Sequence, residues 1–533
     1  MVKSASGKGN CRAGNRQQSR LDIPQAKVDI YYWILFIVLL SGLVIRLLFL
    51  SHFKDTAFFN PAVMEKYDQQ TFFLWADDIR AHPWYVDGKP FYMAPFYPYA
   101  LAVSQLLFGG NLVAVAAFQL MLDTVLCLML FMIGSALVDR RTGLLAAAFA
   151  AFYATFIIYA ASILSDGFIT LLFVGFFLLV QYAVRTRRPS SWIGSGIVFG
   201  LGLLAKPTLA LFLPFLLIGL FVCPEKRLLL SQRRGRTFNI LAAFSLLLAG
   251  AVVTVLPVTI RNFCVSGRFI PICSNGLINW QIGNSADSLG LFCYPQGPVL
   301  SLLTGDFWRL FCQKLVLFCT SYEWPQNLNV YLVREVVPFI RIAVVPFGFI
   351  VPTGLAGLVL LLMADWRKHF LFVSFVISNI LWVVLFFIVD RYRLPAVACL
   401  VVSSAYAMVW TFDRFRDKRP VGVLVTWCCI GLFAYFFNAT PEVDAGRQLH
   451  YKLFFELSAR SINYDMLKRN HVAALKKSED LVRILPGLPA AHYWRGSVRA
   501  WLGQKEQARA DLQDALLLDP SYGPARDLLS ELH

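Results

Sequence analysis

The sequence predicts an all-α, polytopic membrane protein of about eleven transmembrane helices, followed by a small α-helical domain of soluble character. Three observations carry that prediction. Of the 533 residues, 58% are hydrophobic and the mean hydropathy is +0.60, which is too apolar for water-soluble domains of this length. Apolar stretches near the roughly 20 residues needed to cross a bilayer recur from Ile30 to Phe437. Beyond Asn438, cations and carboxylates come close to balance and apolar residues fall at helical spacing.

In chain order, residues 1–29 hold six Lys/Arg against two Asp and form a basic tail expected on the cytoplasmic side. The first apolar run, about Ile30 to Leu50, lacks a small-residue cleavage site and is read as a retained helix rather than a removed signal peptide. Further apolar segments follow at about 112–137, 142–161, 167–184, 192–205, 207–223, 238–259, 337–363, 369–388, 394–411 and 420–437. Arg140-Arg141, Arg185 to Arg188, Lys226 to Arg236, Arg367-Lys368 and Arg414 to Arg419 fall on alternate connections, the cytoplasmic ones by the positive-inside rule. The loops 51–111 and 260–336, the turns at 162–167, Lys206 and 389–393, and the domain 438–533 are then expected on the opposite side. Much of the +17 net charge is therefore topological and calls for no nucleic acid.

Residues 30–437 form the expected membrane domain and 438–533 a separate module. In the module, Gly496, Gly503, Ala508, Ala515 and Pro520 have the spacing of a tetratricopeptide repeat, whose small residues let two antiparallel helices pack closely. Pro486 and Ala474 precede Pro520 and Ala508 by 34 residues each, the period of that repeat. Stacked repeats need neighbours to bury their faces, so 440–470 is expected to supply a capping helix pair.

The eleven cysteines and seven histidines show no metal-ligand spacing. No cofactor is implied, and a divalent cation stays open. Cys264, Cys273, Cys293, Cys312 and Cys319 share the second outer loop, where an oxidising compartment would permit a disulfide. As small apolar residues near a membrane surface they need none.

Chemistry in such a chain is sought among ionisable groups placed where apolar surroundings make them costly. On the outer side these are Asp68, Asp77, Asp78 and Asp87 in the first loop, Asp166, Lys206, Arg261, Glu323 and the cluster Asp390 to Arg393. Arg391 and Arg393 break the positive-inside pattern, and a bound anion would account for them, since guanidinium groups match phosphate oxygens bidentately. An Asp390–Arg391 surface pair anchoring a span would account for them equally. Lys206 before Pro207 is either an anion ligand or a side chain snorkelling to the headgroups. Glu323 either caps a helix or touches substrate. Asp77 and Asp78 fit a solvated helix face, Asp87 in Asp-Gly a turn, and Asp123 inside a span needs a partner that the sequence does not name.

At this point the residues resemble a known family, the GT-C fold glycosyltransferases, in the bacterial branch related to protein O-mannosyltransferases and to the lipid A aminoarabinose transferases. The resemblance runs from residue 30 to about 411 and rests on ordered motifs: Asp68-x-x-x-Phe72-x-x-x-Ala76, Ala94-Pro95-Phe96-Tyr97-Pro98, Gln119-x-x-x-Asp123, Ser165-Asp166, and Gly202-Leu-Leu-Ala-Lys206-Pro207. It continues through Ile260-Arg261-Asn262, Ser274-Asn275-Gly276, Ile282-Gly283-Asn284, Glu323-Trp324-Pro325, and Arg391-Tyr392-Arg393-Leu394-Pro395. The order and spacing are specific where each motif alone is not.

The resemblance implies a transferase that takes a sugar from a polyprenyl-phosphate donor and passes it to a protein or envelope-glycan acceptor on the outer side of a bacterial-type plasma membrane. It implies Asp68 as general base towards the acceptor hydroxyl. It implies Lys206, Arg391, Arg393 and Arg261 on the donor phosphate, and Asp166, Glu323 and Tyr392 as site-lining. The second outer loop leaves no room for the β-trefoil domain of protein O-mannosyltransferases, and the helices of 438–533 stand as a scaffold for an acceptor or a partner protein. The alternative is a non-catalytic or transport protein for lipid-linked sugars, with the same helices as a docking scaffold. No internal repeat across the membrane region favours a transporter.

Overall fold

A computed structural model describes residues 30–65, 67–84, 88–222, 240–292, 294–438 and 442–532, with no side-chain placement for 442–453. The tail 1–29, the connector Lys226 to Arg236, Asp87 and Cys293 lie outside the described residues. Among the described residues the chain is helical and has no strand beyond isolated bridges, which makes it an all-α polytopic membrane protein.

Helix α1 (Ile30–Phe53) is followed by the outer-loop helices α2 (Asp68–Ala81) and α3 (Phe96–Leu107), then by the long α4 (Leu112–Leu137). Asn111 starts α4 by accepting from the backbone N–H of Val113 and Ala114, two of the donors a helix start leaves free. Helices α5 (Arg140–Ala151) and α6 (Ala154–Ala161) form one apolar element bent by 55°. Next come α7 (Asp166–Thr186), α8 (Pro189–Ala205), a 3-10 turn (Pro207–Phe212) leading into α9 (Leu213–Val222), and α10 (Ile240–Ser266). The second outer loop carries α11 (Gly276–Asn284), α12 (Gly305–Cys319) and α13 (Val330–Val336).

The membrane domain closes with α14 (Phe347–Leu385), α15 (Asp390–Arg416) and α16 (Pro420–Asn438). Helix α14 breaks at Asp365, where the backbone turns extended and the carboxylate caps Arg367 and Lys368. The sequence placed the boundary between two spans at this break. Among the described residues seven helices are long and apolar enough to cross a bilayer by themselves, and α8 and the 207–222 segment are shorter. Length alone therefore does not fix the count of eleven that the sequence suggested.

Close helix contacts form wherever a small residue lets two backbones meet, the usual means of association in lipid. Gly354 and Gly357 of α14 lie against the backbone of Leu400 and Ser403 in α15, and Gly196 of α8 lies against Leu247 of α10. A Cβ at Gly357 would overlap the Ser403 carbonyl oxygen, a backbone atom that cannot rotate away. Gly357→Ala is expected to cost about 1–3 kcal/mol and to lower the melting temperature of the detergent-solubilised protein in a thermal-shift measurement. An unchanged melting temperature would show that the two helices separate freely.

The two ends of the bundle differ in chemistry. At one end Arg141, at the start of α5, grips Asp413 near the end of α15 through two bonds of 2.8 Å. At the other lie the starts of α7 and α15, the end of α8 and the large loops. Backbone bonds of 3.0 Å tie these loops together, from Ser274 to Phe91 and from Asn275 to Tyr92. The buried Lys314 ammonium of α12 reaches the Gly283 and Phe386 carbonyls and the Asn284 amide oxygen, fastening the second loop to the end of α14. Cys264, Cys273, Cys312 and Cys319 are free thiols.

Beyond α16 run α17 (Glu442–Leu467), α18 (His471–Ile484), α19 (Pro489–Trp501), α20 (Lys505–Leu518) and α21 (Gly523–Glu531), each packed on the next. Gly496 sits against the Ala508 carbonyl and Leu512, and Ala474, Ala508 and Ala515 are fully buried, so these four lie between helices, whereas Gly503 turns the chain from α19 to α20 at φ +75°. This domain rests on the first outer loop. Phe454 stacks on Phe58, Arg460 approaches the Glu65 carboxylate at 3.8 Å, and Lys476 approaches Asp55 at 3.8 Å. The two ion pairs are solvent-exposed and contribute little by themselves, so the ring contact carries more of the attachment.

Candidate functional site

Three helix starts and one helix end converge at the loop-bearing end. Asp68 is the first residue of α2, Asp166 the first of α7, and Asp390 and Arg391 the first two of α15. A carboxylate in the first turn of a helix is favoured by the unpaired N–H groups and the positive end of the helix dipole, which explains acidic residues at all three starts. Lys206 ends α8, because Pro207 disfavours continued helix at the residue before it.

These elements enclose a cavity of about 200 Å3 lined by Asp68, Asp166, Lys206, Thr208, Asn275, Asn279, Trp382, Arg391 and Tyr392. Its centre is an ion pair. Arg391 Nη2 donates to Asp68 Oδ2 at 2.7 Å across 323 positions of sequence, and Arg391 Nη1 lies 3.8 Å from Asp166 Oδ2. Asn327 Nδ2 donates to the same Asp68 oxygen at 2.9 Å, and Gln326 Oε1 accepts from Arg391 Nε at 3.1 Å. Lys206 Nζ stands 3.4 Å above the centre of the Tyr392 ring and 5.2 Å from that of Trp382, a cation held by aromatic faces.

Arg391 is 5% exposed and Asp166 3%, whereas the Asp68 side chain keeps 29% of its surface. Burial pushes the Asp68 carboxyl up. The Arg391 guanidinium, the Asn327 amide and Lys206 outweigh it and hold the group below the ordinary carboxylate range. Asp166 Oδ2 is buried and has no hydrogen-bond partner among the described residues, with the Arg391 guanidinium just beyond hydrogen-bond reach at 3.8 Å. Arg391 lies between the two carboxylates. A divalent cation, which the sequence left open, would have to displace it from both.

Of the residues singled out in the sequence, Asp68, Asp166, Lys206, Arg391 and Tyr392 share this cavity. Arg261, Arg393 and Glu323 do not line it. Arg261 is 1% exposed, donates to the Trp84 and Lys89 carbonyls and lies over the Phe91 ring, shaping the first loop. Arg393 is equally buried, donates to the Tyr322 and Leu317 carbonyls and stacks on Phe347. Arg261 Nε and Nη1 and Arg393 Nη1 and Nη2 all meet backbone oxygens, and neither side chain lines this cavity. Glu323 is buried and accepts from Tyr153 and Thr155.

Asp390 makes no surface pair with its neighbour. It accepts from Tyr159 at 2.7 Å, and its backbone N–H donates to the Trp324 carbonyl, so it anchors the start of α15 and leaves Arg391 to Asp68. Asp77 pairs with Arg80 on an exposed helix face, as solvated residues do.

Gln326, Asn327, Asn279 and Trp382 escaped the sequence reading. Gln326 and Asn327 directly follow Glu323-Trp324-Pro325, and only that adjacency marks them. Trp382 lies in an apolar span, where an aromatic residue carries no signal. A second, apolar cavity of about 700 Å3 lies beside the first, lined by Phe96, Tyr99, Phe118, Phe168, Leu201 and Val258 among others. Adjacent residues, Ala94 and Pro95, Phe168 and Ile169, and Leu204 and Ala205, face one cavity each.

One family model and several solved structures are similar to this chain. Residues 89–260 match the model of a family described as dolichyl-phosphate-mannose-protein mannosyltransferase. That segment holds the end of the first outer loop from residue 89, Asp166 and Lys206, and with it the resemblance to GT-C glycosyltransferases is borne out. Among solved structures the chain is similar to the oligosaccharyltransferase of Archaeoglobus fulgidus. With its apo form it shares 13% identity at a TM-score of 0.42, covering 76% of this chain and 54% of that one. With the complex of archaeal AglB from the same organism, containing an inhibitory peptide and a dolichol-phosphate, it shares 14% identity at a TM-score of 0.43, covering 83% and 59%. The chain thus spans a little over half the length of those proteins. No curated protein matches it.

Proposed function

We propose that the chain is a membrane glycosyltransferase that moves a sugar from a polyprenyl-phosphate donor to a hydroxyl acceptor, with Asp68 as general base and Lys206 and Arg391 on the donor phosphate. The observation that carries this reading is the meeting of Asp68 and Arg391 at 2.7 Å in one cavity with Lys206 and Asp166. Displacement at an anomeric carbon needs a base for the attacking hydroxyl and cations for the departing phosphate. The acceptor proton passes to Asp68, the acceptor oxygen bonds to the anomeric carbon, and the bond to the phosphate oxygen breaks with its electron pair. Arg391 offers a planar fork and Lys206 a point charge to that oxygen.

The name of the matched family favours a mannosyl donor and a protein acceptor. The apolar cavity beside the site has the volume and lining to receive isoprene units of the donor, and Trp382 and Tyr392 offer aromatic faces to a sugar. The site lies at the end opposite the Arg141–Asp413 contact, which supports a tail 1–29 inside a bacterial-type plasma membrane and transfer on the outer side. There the domain 438–533, read as tetratricopeptide-like, stands against the loop leading into Asp68 and suits the reception of a protein. Arg261 and Arg393 act in this reading by holding loop backbone, and Glu323 by holding the Tyr153 and Thr155 hydroxyls.

The test is transfer of radiolabelled mannose from polyprenyl-phosphate mannose by the purified chain to polypeptide or glycan acceptors. Lys206→Met keeps the stem of the side chain and removes the charge. It is expected to raise the KM for donor by about tenfold or more, the value of one charge-assisted contact, with a smaller change in acceptor KM. Unchanged donor KM would remove Lys206 from the phosphate.

A further inference from the structure

The segment Glu323 to Asn327 forms a bracket behind the central ion pair. Gln326 fixes Arg391 and Asn327 fixes Asp68, each by its side-chain amide. The bracket is itself held: the Asp390 N–H donates to the Trp324 carbonyl, the Tyr159 hydroxyl lies 3.4 Å from the Gln326 carbonyl, Leu328 and Val330 are fully buried, and Asn329 caps α13 through the N–H groups of Tyr331 and Leu332. Asn327 is 8% exposed and has φ +65°, in the left-handed region that asparagine and glycine adopt more readily than other residues.

Two donors, Arg391 Nη2 and Asn327 Nδ2, converge on one oxygen of Asp68, and among the described residues none donates to Oδ1. The donors differ in kind. A guanidinium that binds Asp68 is also the group best suited to a phosphate, and it cannot serve both fully. An amide has no charge with which to follow a phosphate.

Resting on the transferase reading above, we propose that Asn327 is a positioning residue for proton acceptance. It keeps Asp68 Oδ2 in place while Arg391 turns to the donor phosphate, so that Oδ1 is presented to the acceptor hydroxyl. The exchange has a direction. While Arg391 faces Asp68, the carboxylate is a weak base. Once the phosphate takes the guanidinium, the remaining neutral hydrogen bond stabilises the carboxylate less than the charge did, and basicity rises where the acceptor needs it. Among the described residues, the charged and titratable groups around Asp68 are Arg391 and Tyr392 of α15, Lys206 at the end of α8, Asp166 of α7, Tyr92 of the first loop and Cys273 of the second.

The test uses the full-length chain in nanodiscs with Asn327→Gly, which tolerates the positive φ and removes the amide. The titration of Asp68 is read by difference infrared spectroscopy of its carboxyl band, assigned by subtraction of Asp68→Asn. Asn327→Gly is expected to raise the titration midpoint. In transfer assays it is expected to lower kcat by about five- to tenfold, the loss of one hydrogen bond, with the donor KM within about twofold of wild type. Its acid limb of kcat should move to higher pH, which a purely structural defect would not do. A second variant, Asn327→Asp, sets a like charge against Asp68 and is expected to raise the midpoint further.

A midpoint unmoved in both variants overturns the proposal, and so does a raised midpoint with wild-type kcat. The infrared arm needs no substrate. Absence of transfer by the wild-type chain would therefore count against the transferase reading, while an unmoved midpoint would count against Asn327 alone.

Discussion

Asp68→Asn is expected to lower kcat for sugar transfer by about 10²–10⁴-fold, the range found when a positioned general base is removed. The substitution preserves the shape of the side chain and one accepting oxygen, and removes the negative charge and the ability to take a proton. Arg391 loses its charged partner at 2.7 Å and keeps Gln326 and the more distant Asp166. A guanidinium released from Asp68 is freer to meet a phosphate, so donor KM should stay level or fall while kcat collapses. That split separates loss of a base from loss of a binding contact.

The pH dependence follows from the same geometry. The folded-state pKa of Asp68 lies below its unfolded value, so its contribution to stability is present above the unfolded pKa and is lost as pH falls through the folded one. Thermal stability of the wild type should therefore drop on acidification below the ordinary carboxylate range, by a margin that Asp68→Asn lacks. Radiolabel transfer and melting curves across pH check both statements. Transfer undiminished in a folded Asp68→Asn protein would remove Asp68 from the role of base.

The membrane fold was legible because hydropathy and charge alternation act through long stretches, and the break at Asp365 falls where Arg367 and Lys368 already marked a connector. The candidate site was legible at Asp68, Asp166, Lys206 and Arg391, because a charge beside an apolar span is costly and draws notice. Arg261 and Arg393 looked the same in sequence. Only the fold shows that carbonyls of Trp84, Lys89, Tyr322 and Leu317 take their donors. Asn327 and Gln326 were invisible for the opposite reason. A neutral amide in an outer loop costs nothing there, and its meaning arises only when residues hundreds of positions apart are brought beside it.

The partner of Asp123 belongs to the same class of long-range facts and yields the second large effect. Arg46, in the middle of α1, is fully buried, and its Nε and Nη2 donate to Asp123 Oδ2 of α4 at 2.8 and 2.6 Å. Its Nη1 reaches the Ala151 carbonyl at 3.0 Å, where the bend between α5 and α6 begins. One guanidinium thus ties α1, α4 and α5 inside the apolar bundle. Arg46→Met would leave a carboxylate without its counter-charge in a site that water does not reach, and is expected to cost about 3–5 kcal/mol. The double substitution Arg46→Met with Asp123→Leu removes both charges and should recover most of that loss, since buried pairs are often neutral to replace as a unit. Melting temperatures of the wild type, the two single variants and the double variant in one detergent give the coupling between them. If the double variant is no more stable than Arg46→Met alone, the arginine's bonds to the α5 backbone outweigh the ion pair, and its work is to set the bend in the chain.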